Sequence, residues 1–213
     1  MIILLIGSPG AGKGTQAKLL EERFNLEHLA PGDILRDEIQ KNTPLGIKAK
    51  VSMDKGHLVP DNMIVDIMLN YIKNKTNVIL DGFPRNICQA KSLDEFLAKQ
   101  GRSLDHVFRI TVSEDETIRR LSGRRVCPKC GSSYNLEFNP PVIEGICDKD
   151  GEKLVQREDD HEFTIRNRFE VFNEQTKPLI KYYSDHGKFI TIDGERDHMV
   201  IFEELSNIVN GKK

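Results

Sequence analysis

The sequence predicts an α/β protein in which helices flank a parallel sheet on both faces. Three observations support this fold class. The chain opens with residues 2–6, an uninterrupted apolar run typical of a strand buried on both faces. A glycine-rich segment follows directly, and apolar residues then recur at helical spacing. Farther along, short apolar runs keep alternating with amphipathic stretches, as in units whose right-handed crossovers bring functional loops to the carboxyl ends of the strands.

The individual elements have distinct signatures. Ala17, Leu20 and Phe24 predict a helix directly after the glycines. Asp61 is predicted as the N-cap of a helix that runs through Ile72. The later predicted elements are a strand at 78–80, a helix at 86–100 with Gly101 beyond its end, a strand at 106–112, a helix that Ser113 and Glu116 would cap, a strand at 189–192 and a helix at 199–209.

The composition excludes several classes of protein. Among the 213 residues, 31 Lys and Arg stand against 33 Asp and Glu, for a formal net charge of -2. Nucleic-acid binding requires a basic excess that neutralises phosphates, so we expect no nucleic-acid partner. The apolar runs are far shorter than the roughly 20 residues of a membrane-spanning helix, so we expect no membrane contact. The chain start has no basic leader or cleavage site, and no apolar stripe indicates an oligomer, so we expect a cytoplasmic monomer.

Residues 7–15 have the spacing G-x-x-x-x-G-K of a phosphate-binding loop. The glycines allow backbone N–H groups to turn inward, and the following helix adds positive potential at its N-terminus. Lys13 supplies a compact charge that can follow a transferring phosphoryl group. Gly14 stands where the general motif has Ser or Thr, and Thr15 follows, which leaves open a direct hydroxyl ligand to magnesium. The loop predicts nucleotide binding but does not separate a motor, a switch and a kinase.

A second functional segment begins where the predicted strand at 78–80 ends. Asp81 lies where proteins with this loop place the acid that holds magnesium or its waters. Arg85 follows a rigid turn and could clamp a phosphate with two hydrogen bonds. The alternative interpretation is a turn residue that ends the strand and an ordinary surface cation.

Several arginines accompany these motifs. If the chain transferred a phosphoryl group directly between two nucleotides, it would have to hold two polyanions in line, and a net-acidic protein could do so only by concentrating cations locally. Arg120 and Arg124 are four residues apart and would share one face if the helix continues that far. The alternative is that arginines pair with nearby acidic residues on solvated faces, which we expect of Arg125 and Arg166.

Residues 126–156 interrupt the alternation of strands and helices. The segment is rich in Gly, Pro, Cys and Asn and predicts a small inserted module, because a structureless loop of this length is uncommon. Two x-x knuckles within it could present four ligands to zinc, namely Cys127, Cys130, Cys147 and Asp150. Reduced surface thiols are the alternative. Cys88 stands apart and is predicted to be an inert small hydrophobe on a helix.

Together these segments resemble the adenylate kinase family over essentially the whole chain. The matching stretches are residues 7–15, 32–36, 81–85 with Gln89, 123–126, 138–141 and 157–168. The resemblance implies reversible phosphoryl transfer between ATP and AMP that gives two ADP, with Mg²⁺. One branch of the family has a zinc-bearing lid whose fourth ligand is Asp. All four positions match here, which implies a closed, structural Zn²⁺ site.

The resemblance also implies roles for single residues. Residues that would hold ATP are Gly10, Ala11, Gly12, Lys13, Gly14, Thr15, Arg124, Ser133, Tyr134 and Arg196. Residues that would form the AMP site are Pro31, Arg36, His57, Leu58, Val59, Gly82, Phe83, Pro84, Arg85 and Gln89, with Arg157 and Arg168 between the two nucleotides. The implied catalytic residues are Lys13, Asp81, Arg85, Arg124, Arg157 and Arg168.

The implied organisation is a single kinase domain built on a parallel five-stranded sheet with a phosphate-binding loop, flanked by helices. Its core would comprise residues 1–29, 60–125 and 157–213, with an NMP-binding segment at 30–59 and a lid at 126–156. Closure of both segments would exclude water during transfer.

Two positions depart from the family pattern. Pro31 stands where a hydroxyl residue is usual, and His57 replaces a more usual lysine. Because proline offers no hydrogen-bond donor, one contact to the AMP base is open to question. A kinase for UMP or CMP therefore remains an alternative, although the long lid and Gln89 favour AMP. A non-catalytic nucleotide-binding regulator is a second alternative, but it would not need a second phosphate site.

Overall fold

The structure, a computed structural model, describes residues 1–185 and 189–211. Its strands are Ile2–Gly7 (β1), Glu27–Leu29 (β2), Val78–Asp81 (β3), His106–Thr111 (β4), Arg124–Val126 (β5), Ser133–Asn135 (β6) and Phe189–Asp193 (β7). Its α-helices are Lys13–Phe24 (α1), Pro31–Gln40 (α2), Pro44–Met53 (α3), Asp61–Ile72 (α4), Ile87–Ala98 (α5), Glu114–Ser122 (α6), Glu162–Val171 (α7), Pro178–Ser184 (α8) and His198–Val209 (α9). A 3₁₀ turn at Glu158–Asp160 precedes α7, and a π-helical turn at Phe172–Thr176 joins α7 to α8.

The predicted parallel sheet is confirmed. Within the described residues five strands pair in the order β2-β3-β1-β4-β7, and every pairing is parallel. The chain builds one side of β1 with β2 and β3 and then moves to the other side with β4 and β7. The crevice at the carboxyl ends of β1 and β3 is therefore the place where such a sheet binds ligands.

The sheet separates two hydrophobic clusters. All residues of β1 are buried, and its side chains alternate between the clusters: Leu4 lies in one and Leu5 in the other. The first cluster packs under α4, α5 and α8, and the second packs under α1 and α9. This burial on both faces explains the uninterrupted apolar run at the start of the chain.

Two local expectations at helix ends are not met. Pro60, not Asp61, occupies the N-cap of α4. The Asp61 carboxylate instead accepts hydrogen bonds from side chains on the segment after β3, so a tertiary contact replaces the cap. Helix α6 ends at Ser122, which places Arg124 on β5 and not on a shared helix face with Arg120.

The capping box predicted for α6 forms only in part. The Ser113 hydroxyl accepts from the Glu116 N–H, as predicted. The Ser113 N–H, however, donates to Glu195, and the Glu116 carboxylate pairs with Arg119 and Arg120. The reciprocal half is lost because the Glu116 carboxylate has two cationic partners within reach.

The segment after α6 forms a separate small structure. Strands β5 and β6 pair antiparallel, and Val126 and Val155 exchange backbone hydrogen bonds of 2.8 and 2.9 Å. A small buried cluster at its centre contains Cys127, Tyr134, Cys147 and Leu154. Among the described residues, no helix combines the length and apolar character that crossing a membrane requires.

Candidate active site

A cleft of about 870 Å³ opens at the carboxyl ends of β1 and β3. Its floor is the loop between β1 and α1. Its walls come from α2, the segment after β3, the end of α6, strand β6 and helix α7. The cleft therefore joins the phosphate-binding loop to both segments that the sequence predicted to close over ligands.

The phosphate-binding loop has the curvature that its glycines permit. Gly10 and Gly12 have φ angles of 74° and 89°, a left-handed region that favours glycine. The Lys13 ammonium donates to the carbonyls of Gly7 and Ser8, both at 2.8 Å, across the base of the loop. Burial lowers the pKa of Lys13 to about 8, although the negative charge of Asp81 acts in the opposite direction and raises it. A phosphate group would replace solvent around this cation and favour its charged form.

Asp81 ends β3 beside the loop and contacts His28. His28 Nε2 lies 3.2 Å from Asp81 Oδ2, and both side chains are largely buried. Burial by itself would raise the pKa of Asp81, but the hydrogen bond from His28 and the charge of Lys13 outweigh it and hold the pKa below its ordinary value. An ionised carboxylate next to the loop fits the predicted role toward magnesium or its waters.

The backbone of Arg85 is fixed at both ends of the residue. Its N–H donates to Gln89 Oε1 at 2.8 Å, and its carbonyl accepts from the Thr176 hydroxyl at 2.7 Å. The side chain donates to the Gly82 carbonyl at 2.9 Å. Burial, with the nearby charge of Arg168, lowers the pKa of Arg85 to about 10. The guanidinium has no carboxylate partner among the described residues, so it is available to an anion.

The amide of Gln89 is engaged on both sides. Its oxygen accepts from Arg85, and its nitrogen donates to Asp61 at 2.7 Å. Asp61 also accepts from Asn86 at 2.8 Å. Gln89 is only 2% exposed yet lines the cleft, so this network fixes the orientation of its amide before any ligand is present.

Two cleft arginines converge on a buried acid. Arg124 donates to Asp160 through Nε and Nη2, at 2.7 and 2.5 Å. Arg168 contacts Asp160 at 3.2 Å and Asp159 at 3.0 Å. The Asp160 side chain has no exposed surface. The alternative that arginines pair with nearby acidic residues is therefore realised for Arg124 and Arg168. These ion pairs lie inside the cleft and not on a solvated face, so they hold the two guanidiniums close together.

A third cleft arginine is left without a partner. Arg157 Nε is buried and has no hydrogen-bond partner, and no carboxylate pairs with this side chain in the described parts of the chain. Burial, with the nearby charge of Arg124, lowers the pKa of Arg157 to about 9. An unpaired guanidinium at this position indicates that the cleft is arranged for an anion.

Arg166 behaves as expected of a surface cation, since it pairs with Glu162 and Glu114. Arg125 does not: it donates to the carbonyls of Ser122 and Arg124, and no acid pairs with it among the described residues. Cys88 lies on a helix, α5, as predicted, and its side chain is exposed.

The inserted segment brings its four predicted ligands together. The ligand atoms of Cys127, Cys130, Cys147 and Asp150 all lie within 4.8 Å of one another. The Cys130 and Cys147 sulfurs are 3.6 Å apart, and the Cys127 sulfur is 3.4 Å from the Asp150 oxygens. Zinc–sulfur bonds of about 2.3 Å at tetrahedral angles would place two sulfurs about 3.8 Å apart. The donor set therefore fits a zinc ion.

The two knuckles have the same backbone geometry. In the first, the Cys127 N–H donates to the Ser132 carbonyl and the Gly131 N–H to the Cys127 carbonyl, at 2.9 and 3.0 Å. In the second, Cys147 and Gly151 make the equivalent bonds at 2.8 and 2.9 Å. Both glycines have φ near 71°. A matched pair of turns that aim four ligands at one point is typical of structural zinc sites.

Comparison with known proteins decides the family. The family model for adenylate kinase matches residues 5–188, most of the chain. The chain belongs to the adenylate kinase family. The chain is 45% identical to the adenylate kinase of Clostridium novyi, with 100% of each chain covered. Its identity to the adenylate kinase of Methanocella arvoryzae is 50%, with 92% of this chain and 93% of the relative covered. The adenylate kinase of Oceanobacillus iheyensis is 44% identical, again with 100% of each chain covered.

In this member of the adenylate kinase family, nearly all of the predicted nucleotide-contacting residues line the cleft. Phe83 is different: its side chain lies in the hydrophobic core with no exposed surface. Tyr134 lines the cleft, but its hydroxyl accepts from the Asp148 N–H and lies 3.5 Å from the Cys147 sulfur, on the side of the thiol cluster.

The sequence did not identify two cleft contacts, those of His28 and Thr176. His28 lies on β2, a strand of three residues that is too short for a periodic signal. Thr176 ends a π-helical turn, a rare conformation without a sequence signature.

Proposed function

We propose that this chain catalyses the reversible reaction ATP + AMP = 2 ADP with the residue roles that follow. Membership of the adenylate kinase family supports the reaction. The observation that carries it is that Arg85 and Arg157, two half-buried arginines without a carboxylate partner among the described residues, face the same cleft as Lys13. One nucleotide on the loop does not require cations on the opposite wall, whereas two nucleotides end to end do.

On the ATP side, the backbone N–H groups from Gly10 to Thr15 and the ammonium of Lys13 would bind the phosphates. Arg124 would join them once phosphate oxygens compete with Asp160 for its guanidinium. The main chain at Arg196 and the wall at Ser133 would meet the adenine end of ATP.

On the AMP side, Arg36 and Arg85 would hold the phosphate. Arg36 Nη2 lies 2.6 Å from Oδ1 of the exposed Asp33, and the arginine would exchange this carboxylate for the AMP phosphate. The oriented amide of Gln89 would contact the adenine edge, and residues 57–59 would line the pocket. Pro31 is buried at the first turn of α2, where its missing N–H leaves no donor unsatisfied.

Catalysis would consist of positioning and charge stabilisation. Arg157 and Arg168 lie between the two phosphate sites and would neutralise charge that develops on the transferring group. Mg²⁺ accompanies ATP in this reaction and supplies further charge neutralisation. The Asp81 carboxylate, which His28 contacts, would hold the ion or its waters. No general base is required, because the attacking phosphate oxygen is already ionised.

Water must be excluded or ATP would hydrolyse. Residues 30–59 and the lid at 126–156 would close over the core formed by residues 1–29, 60–125 and 157–213. The buried cluster at the centre of the lid is too small to keep the lid rigid by packing alone, so zinc would provide the rigidity. We expect lid opening to limit turnover, so that single-turnover transfer is faster than steady state.

A monomer in the cytoplasm completes the proposal. The described residues already bring Lys13 and five arginines, at positions 36, 85, 124, 157 and 168, to the wall of one cleft. The thiols of the cluster fit a reducing compartment.

The test is to incubate the protein and Mg-ATP with AMP, UMP, CMP or GMP and to measure the diphosphates formed. We expect ADP from AMP at a rate far above the others, and loss of that rate in Lys13→Met. Rapid UDP or CDP formation with little ADP from AMP would select the pyrimidine kinase. Nucleotide binding without any diphosphate would select the regulator.

A further inference from the structure

A second cavity, of about 190 Å³, lies behind the phosphate-binding loop. Its lining comes from Ser8, the end of β4 with the residues after it, and the π-helical turn between α7 and α8. Two of the lining side chains are cations, Arg109 and Lys177. No carboxylate lines this cavity in the part of the chain that the structure describes. The cavity therefore has a positive character that its own walls do not neutralise.

Arg109 occupies an unusual place for a charge. It lies on β4, between β1 and β7, in register with Ile6 and Thr191. Because side chains alternate along a strand, Arg109 is on the same face as Val107, which belongs to the first hydrophobic cluster. Within residues 1–185 and 189–211 its guanidinium has neither an ion pair nor a hydrogen bond. A half-buried cation on the core side of a central strand is costly unless an anion accompanies it.

Ser8 provides an independent observation. The residue is 4% exposed, and its hydroxyl is buried without a hydrogen-bond partner. Ser8 lines the second cavity and does not line the nucleotide cleft. Its carbonyl faces the other way and accepts from Lys13 at 2.8 Å. A buried hydroxyl without a partner indicates that a polar ligand belongs at this place.

We propose that this cavity is a binding site for a small tetrahedral oxyanion, with inorganic phosphate as the representative ligand. The Ser8 hydroxyl and the Arg109 guanidinium would donate to the anion, and Lys177 at the rim would add charge. The volume is below the roughly 300 Å³ at which pockets for nucleotide-sized ligands begin, so a whole nucleotide does not fit. This site is separate from the nucleotide cleft, although the backbone carbonyl of Ser8 accepts a hydrogen bond from Lys13 of that cleft.

The experiment must silence the nucleotide cleft, because that cleft also binds phosphate groups. The full chain is saturated with a bisubstrate analogue in which five phosphates join two adenosines. Inorganic phosphate, sulfate and AMP are then titrated into this complex in a calorimeter. We expect one phosphate or sulfate per chain and no heat from AMP.

Variants connect the binding to the cavity. Arg109→Met should weaken phosphate binding by about tenfold or more, because a charge-assisted bond is lost. Ser8→Ala should weaken it by a smaller factor. Lys177→Met changes an exposed side chain and gives a readout even if Arg109→Met does not fold. Lys99→Met removes an exposed cation elsewhere and should leave the affinity unchanged.

Three results would overturn the proposal. The first is absence of binding to the analogue-saturated chain, which would mean that the cavity holds solvent. The second is binding that appears only without the analogue, which would assign the phosphate to the nucleotide cleft. The third is equal affinity in Arg109→Met, Lys177→Met and Lys99→Met, which would indicate general charge attraction.

Discussion

The Thr176 hydroxyl donates a 2.7 Å hydrogen bond to the backbone carbonyl of Arg85, a residue 91 positions earlier in the chain. Gln89 holds the N–H of the same residue, so the Arg85 backbone is fixed on both sides. The π-helical turn at Phe172–Thr176 places the threonine there, and it links the end of α7 to the proposed AMP site. A π turn at a functional site is a frequent association, and here it has an identifiable purpose.

Replacing this threonine should impair AMP use selectively. In Thr176→Val the Arg85 carbonyl loses a buried donor, which costs about 1–3 kcal/mol. We expect kcat/KM for AMP to fall by about tenfold in steady-state assays, whereas KM for ATP stays near the wild-type value. Thr176→Ser keeps the hydroxyl and is the matched control. Equal losses in both variants would show that the methyl packing matters and the hydrogen bond does not.

Lys13 should make unfolding depend on pH in a defined direction. Its folded pKa of about 8 is below the ordinary value of 10.5, so between these values the unfolded chain binds more protons than the folded one. The free energy of unfolding of the ligand-free wild type should therefore rise with pH across this interval, relative to Lys13→Met, by an amount on the order of 1–3 kcal/mol.

Denaturant titrations at several pH values measure this difference. Lys99→Met carries the same charge change on an exposed helix end and should track the wild type. A difference between wild type and Lys13→Met that stays constant from pH 8 to 10.5 contradicts the prediction.

The four-residue cluster in the inserted segment should carry one zinc per chain. Cys147→Ser should abolish metal content by elemental analysis and lower the melting temperature by roughly 5–10 °C, since a structural metal contributes several kcal/mol. A strong chelator should lower the melting temperature of the wild type similarly. Cys88→Ser alters an exposed thiol outside the cluster and should keep both the metal and the melting temperature. Full metal content in Cys147→Ser would remove the site.

Asp61 should influence base selectivity through Gln89. In Asp61→Ala the Gln89 nitrogen loses its 2.7 Å acceptor, so the amide is free to rotate. We expect the preference for AMP over CMP, measured as the ratio of kcat/KM values, to fall by about tenfold. Asp66→Ala removes an exposed acid from the same helix and should leave the ratio unchanged. An unaltered ratio in Asp61→Ala would mean that Gln89 does not depend on this contact.

Gly46 should tolerate no side chain. A Cβ at this position would lie 2.2 Å from the Glu38 carbonyl oxygen, because α2 and α3 approach each other closely there. Gly46→Ala should therefore lower the free energy of unfolding by about 1–3 kcal/mol and raise KM for AMP, since α2 carries Arg36. Lys48→Ala on the exposed face of α3 is the control. Unchanged stability in Gly46→Ala would show that the two helices separate without cost.

The parts that could be predicted from the sequence are those that local pattern determines. The apolar run of β1 and the glycines after it leave little choice but a buried strand and a phosphate-binding loop. The two knuckles have a fixed spacing, so their convergence also followed from the sequence.

The errors arose where tertiary contacts override local preference. Asp61 is a residue type that often caps helices, but its carboxylate accepts hydrogen bonds from the Asn86 and Gln89 side chains of another segment. Arg124 could continue a helix, yet the chain turns at Gly123 to begin β5. The convergence of Arg124 and Arg168 on Asp160 depends on how the inserted segment returns to the core, which spacing does not reveal.

The backbone bonds between Val126 and Val155 have a consequence for how this protein can change over generations. The inserted segment leaves and rejoins the core at neighbouring positions, so it is attached to the core at one place only. Such a segment can be shortened, exchanged or given different ligands without altering the strand order beneath it. Selection can therefore change the stability of the inserted segment without changing the phosphate-binding loop.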